Sequence, residues 1–164
     1  MKYIIAILLI MSTISLMAQN GEAITEKKTF SRSTAISQTI NTEPAVLWSI
    51  LTKASDYARW NSTIISLEGK IEKGEKIRLK STLDSSRTFK LKVKEMIPEE
   101  KLVWGDALGE RTYTLEKTSE GTIFTMREKI GSFMFPLFAN KIPSFDESFE
   151  AFTADLKREA ESKK

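Results

Sequence analysis

Cysteine and histidine are both absent from these 164 residues. Without cysteine there can be no disulfide, no thiol nucleophile and no thiolate metal site, so the chain must be held by its core alone. Without histidine there is no Ser-His-Asp or Cys-His arrangement, no imidazole acid or base, and none of the common zinc, copper or non-haem iron sites. Any catalysis would rest on carboxylates, Tyr, Lys, Arg or Ser. No metal or other cofactor is expected.

Charge of one sign is not concentrated anywhere either. Setting aside Lys2 from the 25 basic residues leaves 24 against 22 acidic ones, spread in mixed-sign clusters. Nothing in that pattern predicts nucleic acid. Internal repeats and low-complexity tracts are also missing.

The long apolar run lies at the start. "MKYIIAILLIMSTISLMA", residues 1–18, has one early cation, Lys2, then an apolar stretch too short and too punctuated by Ser12, Thr13 and Ser15 for a comfortable membrane span. It reads as a secretory signal cut after Ala18, although Leu16, three positions before the cut, is larger than the usual small residue. An uncleaved anchor is the alternative. The expected address is export, to a periplasm or beyond the cell. Removing 18 of 164 residues leaves 146, enough for one domain with a real core and too few for two.

Residues 19–32 read as a flexible, polar lead-in, with the first strand beginning near its end. Phe30, Ile36 and Ile40 share one parity with polar residues between them, the period-two mark of a strand with one buried face. Pro44 suits the first turn of a helix, with Thr42 or Glu43 as its cap. Val46, Leu47, Ile50, Leu51 and Ala54 fall on one stripe, with Trp48 at its edge; "KAS" then breaks the pattern, and Ser55 offers a second cap for "DYAR".

Six strand-like segments follow, parted by short polar or glycine turns: "TIISLEGKI", "KIRLKSTL", "RTFKLKVKEMI", "LVWGDAL", "RTYTLEK" and "TIFTMREKI". Short spacing of this kind predicts an antiparallel meander. The chain closes on "SFDESFEAFTADLKREAESKK", an amphipathic helix with Phe145, Phe149, Phe152 and Leu156 on its apolar stripe, a Ser144–Glu147 capping box and charges matched to the helix dipole. The expected fold is α+β: a curved seven-stranded antiparallel sheet, in the order strand, two helices, six strands, helix, wrapped around the long C-terminal helix. Such a sheet need not fill all the space it encloses, which leaves room for an internal cavity.

"INTEPAVLWSILTKASDYARWN" resembles the proline-initiated helix and Tyr-x-x-Trp-Asn turn of the SRPBCC superfamily, the helix-grip fold of START-type lipid-binding, birch-pollen-allergen-like and polyketide cyclase-like proteins. Gly74, "LVW" at 102–104, "YTLE" at 113–116, "GT" at 121–122 and the C-terminal helix follow in family order. The likeness covers about residues 33–160, and the domain is taken as 33–162. Lys53 stands where such sequences often carry an acidic residue, and many relatives are cytosolic. The resemblance implies a cavity for an apolar ligand. It supplies no catalytic residue to carry over.

Strand parity nominates a concave face: Ile65 and Leu67; Ile77 and Leu79; Phe89, Leu91 and Val93; Trp104; Tyr113 and Leu115; Phe124, Met126 and Ile130. Ile77, Leu79, Phe89, Leu91, Trp104, Tyr113, Phe124 and Met126 are taken as candidates to face a ligand. Trp60, at the turn into the second strand, joins them, as do Phe135, Phe138, Phe149 and Phe152. Each would serve equally simply as core. In the same register stand Glu95, Asp106, Arg111 and Glu128. Strand ends, twist or a bulge could turn these to solvent; alternatively Arg111 pairs with Glu128 or Asp106 in the cavity mouth and presents a fixed polar group to a ligand.

Residues 132–143, "SFMFPLFANKIP", are too apolar for an ordinary loop. They either begin the final helix, bent near Pro143, and pack on the sheet, or form a gate over the cavity or a patch that touches a membrane during ligand exchange. Three functions are compatible with all this. One is an exported, monomeric carrier of a small hydrophobic ligand such as a lipid, isoprenoid or polyketide-like aromatic. Another is a cyclase- or hydrolase-like enzyme using Tyr113, Arg111 and the carboxylates at 95, 106 and 128. The third is an interaction protein with a filled core.

Overall fold

The computed structural model describes residues 21–163. Its strands are β1 Ile24–Lys28, β2 Ser31–Ile40, β3 Ile64–Glu68, β4 Lys76–Ser81, β5 Asp84–Ile97, β6 Lys101–Gly105, β7 Gly109–Thr118 and β8 Gly121–Gly131. They form one antiparallel sheet in the order β1-β2-β8-β7-β6-β5-β4-β3. The six segments expected to make a meander are β3 to β8, and β2 pairs with β8 at the meander's end. Helices α1 (Pro44–Leu51) and α2 (Tyr57–Trp60) carry the chain from β2 to the opposite edge, and α3 (Asp146–Glu161) packs its apolar stripe on the sheet. This is the helix-grip arrangement expected from the sequence, with eight strands in place of seven.

The additional strand is β1, which lies in the stretch whose polarity suggests a flexible lead-in. It pairs with β2 from Ile24 opposite Ala35 to Lys28 opposite Ser31. An edge strand needs no apolar face to pair, and its polar side chains suit an outer edge open to water. Thr25 also donates to Asp146 (2.5 Å) and the Ala23 amide to Glu150 (3.1 Å), tying this edge to α3. Phe30 is not on the inward face with Ile36 and Ile40; it occupies the β1–β2 turn and is exposed. The segment at residues 1–18 lies outside the described residues.

Two of the three register shifts in the meander move residues off the face that alternation assigns them. The β3–β4 register shifts between Ile64 and Ser66, so Ile64 and Leu67 are buried while Ile65, expected on the concave face, is exposed. The β5–β6 register shifts between Val93 and Glu95; Glu95 turns outward to Lys101 (2.8 Å), and Met96 packs on the core instead. An extra residue in one strand moves everything after it to the other face, which alternation alone does not reveal.

The helix ends also differ from expectation. Pro44 opens α1, but Glu43 at the cap position makes no side-chain cap bond, and the Thr42 carbonyl accepts from Thr122. "KAS" is a junction between helices, as its broken pattern suggests; Ala54 and Ser55 belong to a 3-10 turn, Ala54–Asp56, so Asp56 rather than Ser55 precedes α2. The Ser144–Glu147 box does not form. α3 starts at Asp146, which puts Glu147 too early in the first turn to reach back, and Ser144 pairs with Asp146.

Between sheet and helix the middle of the core is a layer of rings. Tyr57, Trp60, Tyr113 and Phe124 surround Phe152 at centroid distances of 5.5–6.4 Å, and Trp104 meets Tyr113 edge-on at 5.0 Å. Gly121 keeps the β7–β8 turn close to β2: its φ is +126°, and a Cβ there would lie 2.3 Å from the Ile40 carbonyl oxygen.

One polar link fastens α3 to the loop after α2. Asp155, only 5% exposed, accepts from the Ser62 amide (2.7 Å), the Ser62 hydroxyl (2.6 Å) and Arg158 (2.6 Å). Burial opposes its charge, but these bonds outweigh burial and hold the carboxyl below its usual pKa. A depressed pKa in the folded state contributes stability above the unfolded value, near about 4, that is lost as pH falls through the folded value. Asp155→Asn is expected to lower the melting temperature at neutral pH by about 4–8 °C and to flatten the acid limb of the melting-temperature profile. An acid limb identical to the parent's would contradict this.

Candidate ligand cavity and its polar end

The ring layer does not extend to the end of the grip where the β4–β5 and β6–β7 turns meet the segment preceding α3. There a cavity of about 250 Å³ remains. Leu79, Phe89, Leu91, Trp104 and Gly105 wall one side; Arg111, Glu128 and Ile130 another; Phe138, Ile142, Pro143 and Phe145 close over it. Ligand sites for drug-sized molecules span roughly 300–1,000 Å³, so an occupant here is small or projects through the mouth.

The cavity exists because α3 starts late. Residues 132–143 do not begin the final helix, as one reading of their composition had it. They form two separate 3-10 turns, Phe135–Leu137 and Ala139–Lys141, with Pro136 inside the first and Pro143 beyond the second. Prolines spaced in this way prevent a continuous helix. Arg32 holds the end of the segment, donating to the carbonyls of Ile142 (3.1 Å) and Pro143 (2.6 Å) with its guanidinium 4.9 Å from the centre of the Phe145 ring. Arg32→Met is expected to speed amide hydrogen exchange in residues 139–145 while the exchange of β7 and β8 stays slow; unchanged exchange there would exclude the anchoring role.

The polar end is an ion pair. Antiparallel pairing sets Arg111 opposite Glu128, and Arg111 Nε donates to Glu128 Oε2 at 2.5 Å. Their side chains are only 14% and 15% exposed. Behind them the Phe149 ring lies 5.2 Å from the guanidinium carbon. Burial works against the Arg111 charge, but the adjacent Glu128 outweighs it and keeps the guanidinium pKa above its ordinary value. Tyr113, two residues along β7, is pushed up to about 12, chiefly by burial, with Arg111 opposing. At neutral pH Arg111 on the cavity wall is therefore a cation, and Tyr113 in the core beside it is a neutral phenol.

The Tyr113 hydroxyl is near enough to Arg111 to feel its charge, yet buried without a hydrogen bond of good geometry. A buried unpaired hydroxyl costs stability. Tyr113→Phe is accordingly expected to raise the melting temperature by about 2–4 °C. A clear fall would mean that the hydroxyl has a partner.

Of the candidates from the sequence, Leu79, Phe89, Leu91, Trp104, Arg111, Glu128 and Phe138 line the cavity. Trp60, Ile77, Tyr113, Phe124, Met126, Phe149 and Phe152 do not; they are packed core, because the middle of the sheet lies directly under α3 and is filled by rings. Phe135 is buried and meets Phe138 edge-on at 5.6 Å, one layer back. Of the other polar groups in register, Glu95 points outward, while Asp106, at the cavity's margin, accepts from the amides of Leu108 (2.8 Å) and Gly109 (2.9 Å) and shapes the β6–β7 turn. Leu83, Arg87, Leu108, Ile142 and Phe145 also line the cavity without having been nominated. All but Arg87 lie in turns or loops or at a helix boundary, where strand parity has nothing to say; only Phe145, four residues before Phe149, carried a helical-spacing signal.

Comparison with known proteins gives this geometry a context. The profile of the family described as "Activator of Hsp90 ATPase homolog 1-like protein" matches residues 41–161, most of the chain. The chain belongs to that family. It is thereby a member of the SRPBCC superfamily, as the helix, turn and strand motifs suggested. No curated protein matches the chain by sequence. Among solved structures it is similar to protein MLL2253 of Mesorhizobium loti, at 20% identity with a TM-score of 0.64, over 81% of this chain and 99% of that one. EF2215 of Enterococcus faecalis, a conserved protein of unknown function, gives 13% identity and a TM-score of 0.60, over 83% and 75% of the two chains. DynU16, from the dynemicin biosynthetic locus, gives 16% and 0.63, over 80% of this chain but 48% of its own length. Identities this low establish the shared fold and no more.

Proposed function

We propose that this protein binds a small, uncharged, mainly apolar molecule in the cavity, with one ligand oxygen accepting a hydrogen bond from Arg111. The observation that carries the reading is a nearly buried ion pair set in the wall of a largely apolar cavity. A guanidinium has five N–H donors; Arg111 gives Nε to Glu128 and also interacts with the neighbouring Tyr113 hydroxyl, which leaves donors for a ligand oxygen. Glu128 already balances its charge, so a ligand carboxylate would meet Glu128 in a poorly solvated space; a carbonyl, hydroxyl or ether oxygen would not. Native mass spectrometry of protein purified from its own host, followed by solvent extraction, should find a neutral small molecule. Ligand-free protein under those conditions would count against the proposal.

A cyclase-like reaction on the bound molecule is the second reading, supported by the same Arg111–Glu128 pair on the cavity wall; Tyr113, packed in the core beside it, does not reach the ligand space. Glu128 is the one of its three proposed carboxylates that both lines the cavity and is free of turn-forming or surface partners. Conversion of the extracted compound by purified protein would favour it. Residues 1–18 also support export: the host-purified protein is expected to begin at Gln19 by intact mass, and the full-length mass would count against a cleaved signal.

A further inference from the structure

Eight large apolar side chains are exposed among the described residues, and five stand at the mouth end of the sheet: Phe133 (84%), Leu137 (72%), Met134 (53%), Phe30 (51%) and Leu108 (45%). Scattered single residues of this kind need no explanation, whereas a contiguous group does. This group is knitted together by its backbone. The Ser132 amide donates to the Phe30 carbonyl and the Gly131 amide to that of Leu108, so the β1–β2 turn, the β6–β7 turn and the segment after β8 form one rim. The Phe30 and Phe133 rings stack at 5.9 Å, 11° from parallel.

The rim is held in place rather than loose. The amides of Phe135, Leu137 and Phe138 each donate to the carbonyl three residues earlier, and buried Phe135 roots the first 3-10 turn against Phe138. Phe133, Met134 and Leu137 therefore project on a fixed base. Four cations lie at the same end of the sheet: Lys28 beside the β1–β2 turn, Lys129 near the end of β8, and Arg87 and Lys141 on the cavity wall. None of these four pairs with a carboxylate among the described residues. The nearby carboxylates of Glu110, Glu128 and Asp106 are engaged by Lys94, by Arg111 and by turn amides, and Asp84, also on the cavity wall, accepts from the Ser86 hydroxyl, so cations outnumber free carboxylates at this end.

We propose that this rim docks on the surface of an anionic lipid bilayer, with Phe133 and Leu137 entering the interfacial region and the cavity end of the sheet turned toward the membrane. No helix among the described residues is long and apolar enough to cross a bilayer, so the contact is a surface one. Charge complementarity favours anionic lipid over a second copy of the chain, since two such rims face to face would oppose like charges. Side chains entering a bilayer act individually, so a group of five apolar side chains is enough for a surface contact.

The test is sedimentation of host-purified protein with vesicles of phosphatidylcholine alone and of phosphatidylcholine with one third phosphatidylglycerol. The parent is expected to bind the anionic vesicles at least about five-fold more tightly, with the difference lost near about 0.5 M salt. Phe133→Ser with Leu137→Ser should weaken that binding about ten-fold at an unchanged melting temperature, whereas Ile97→Ser, exposed elsewhere, should not. If the double variant melts early, Lys28→Glu with Lys141→Glu reads the electrostatic half, and loss of the lipid preference is the expected result. No binding by the parent, equal binding by the rim variants, or a dimer that the rim variants dissolve would overturn the proposal.

Discussion

Replacing Arg111 and Glu128 together, as Arg111→Met with Glu128→Leu, is expected to leave the melting temperature near the parent's and to abolish copurification of the neutral ligand. The two effects separate for a physical reason. A nearly buried ion pair is a poor source of stability, because the cost of taking both charges out of water roughly cancels their attraction; apolar residues of similar volume often do as well. Its hydrogen bond to a ligand has no such substitute. A bond from a charged donor contributes about 1.5–3 kcal/mol, or about 10- to 150-fold in affinity. Either single substitution is less clean, since it strands the partner's charge at a cost of about 3–5 kcal/mol. A double variant that keeps its ligand would exclude Arg111 as the anchor, and one that fails to fold would show that the pair is structural.

Phe152→Ala should be among the most damaging core substitutions. Phe152 is 1% exposed and within 5.5–6.4 Å, centroid to centroid, of four other rings. Removing it deletes the apolar group through which α3 grips the middle of the sheet, and rings held by separate strands and helices cannot readily collapse into the gap. Such truncations cost about 3–5 kcal/mol, here about 6–20 °C in melting temperature. Phe138→Ala is the useful contrast. Phe138 is half-buried on the cavity wall, so its loss enlarges a space that already exists and should cost well under half as much. Similar losses at both positions, measured by denaturant unfolding, would mean that the cavity is packed more tightly than its walls indicate.

The difference between those two phenylalanines separates what could be read along the chain from what could not. Alternation in "TIFTMREKI" and "RTYTLEK" was enough to identify β8 and β7 and to put Arg111 and Glu128 on one face, because period two is a local property. That they oppose each other depends on the pairing register, and their burial depends on what covers them. For Glu95 the same parity argument gave the wrong face, since one bulge after Val93 reverses it. Phe135, Phe138, Phe149 and Phe152 looked equivalent as apolar residues, but Phe138 alone borders the cavity.

By itself, the sequence determined the exclusion of thiol and imidazole chemistry, the helix-grip order of elements and most of the core, including Trp48 as a packing residue beside the core. These follow from composition and from local periodicity. Tertiary structure decided the rest: an eighth strand made from polar residues, a cavity confined to one end, and an exposed apolar group at that same end. Each arises where distant segments meet, at a sheet edge, at a bulge or at a helix that starts late. No local pattern encodes how two such segments fill the space between them.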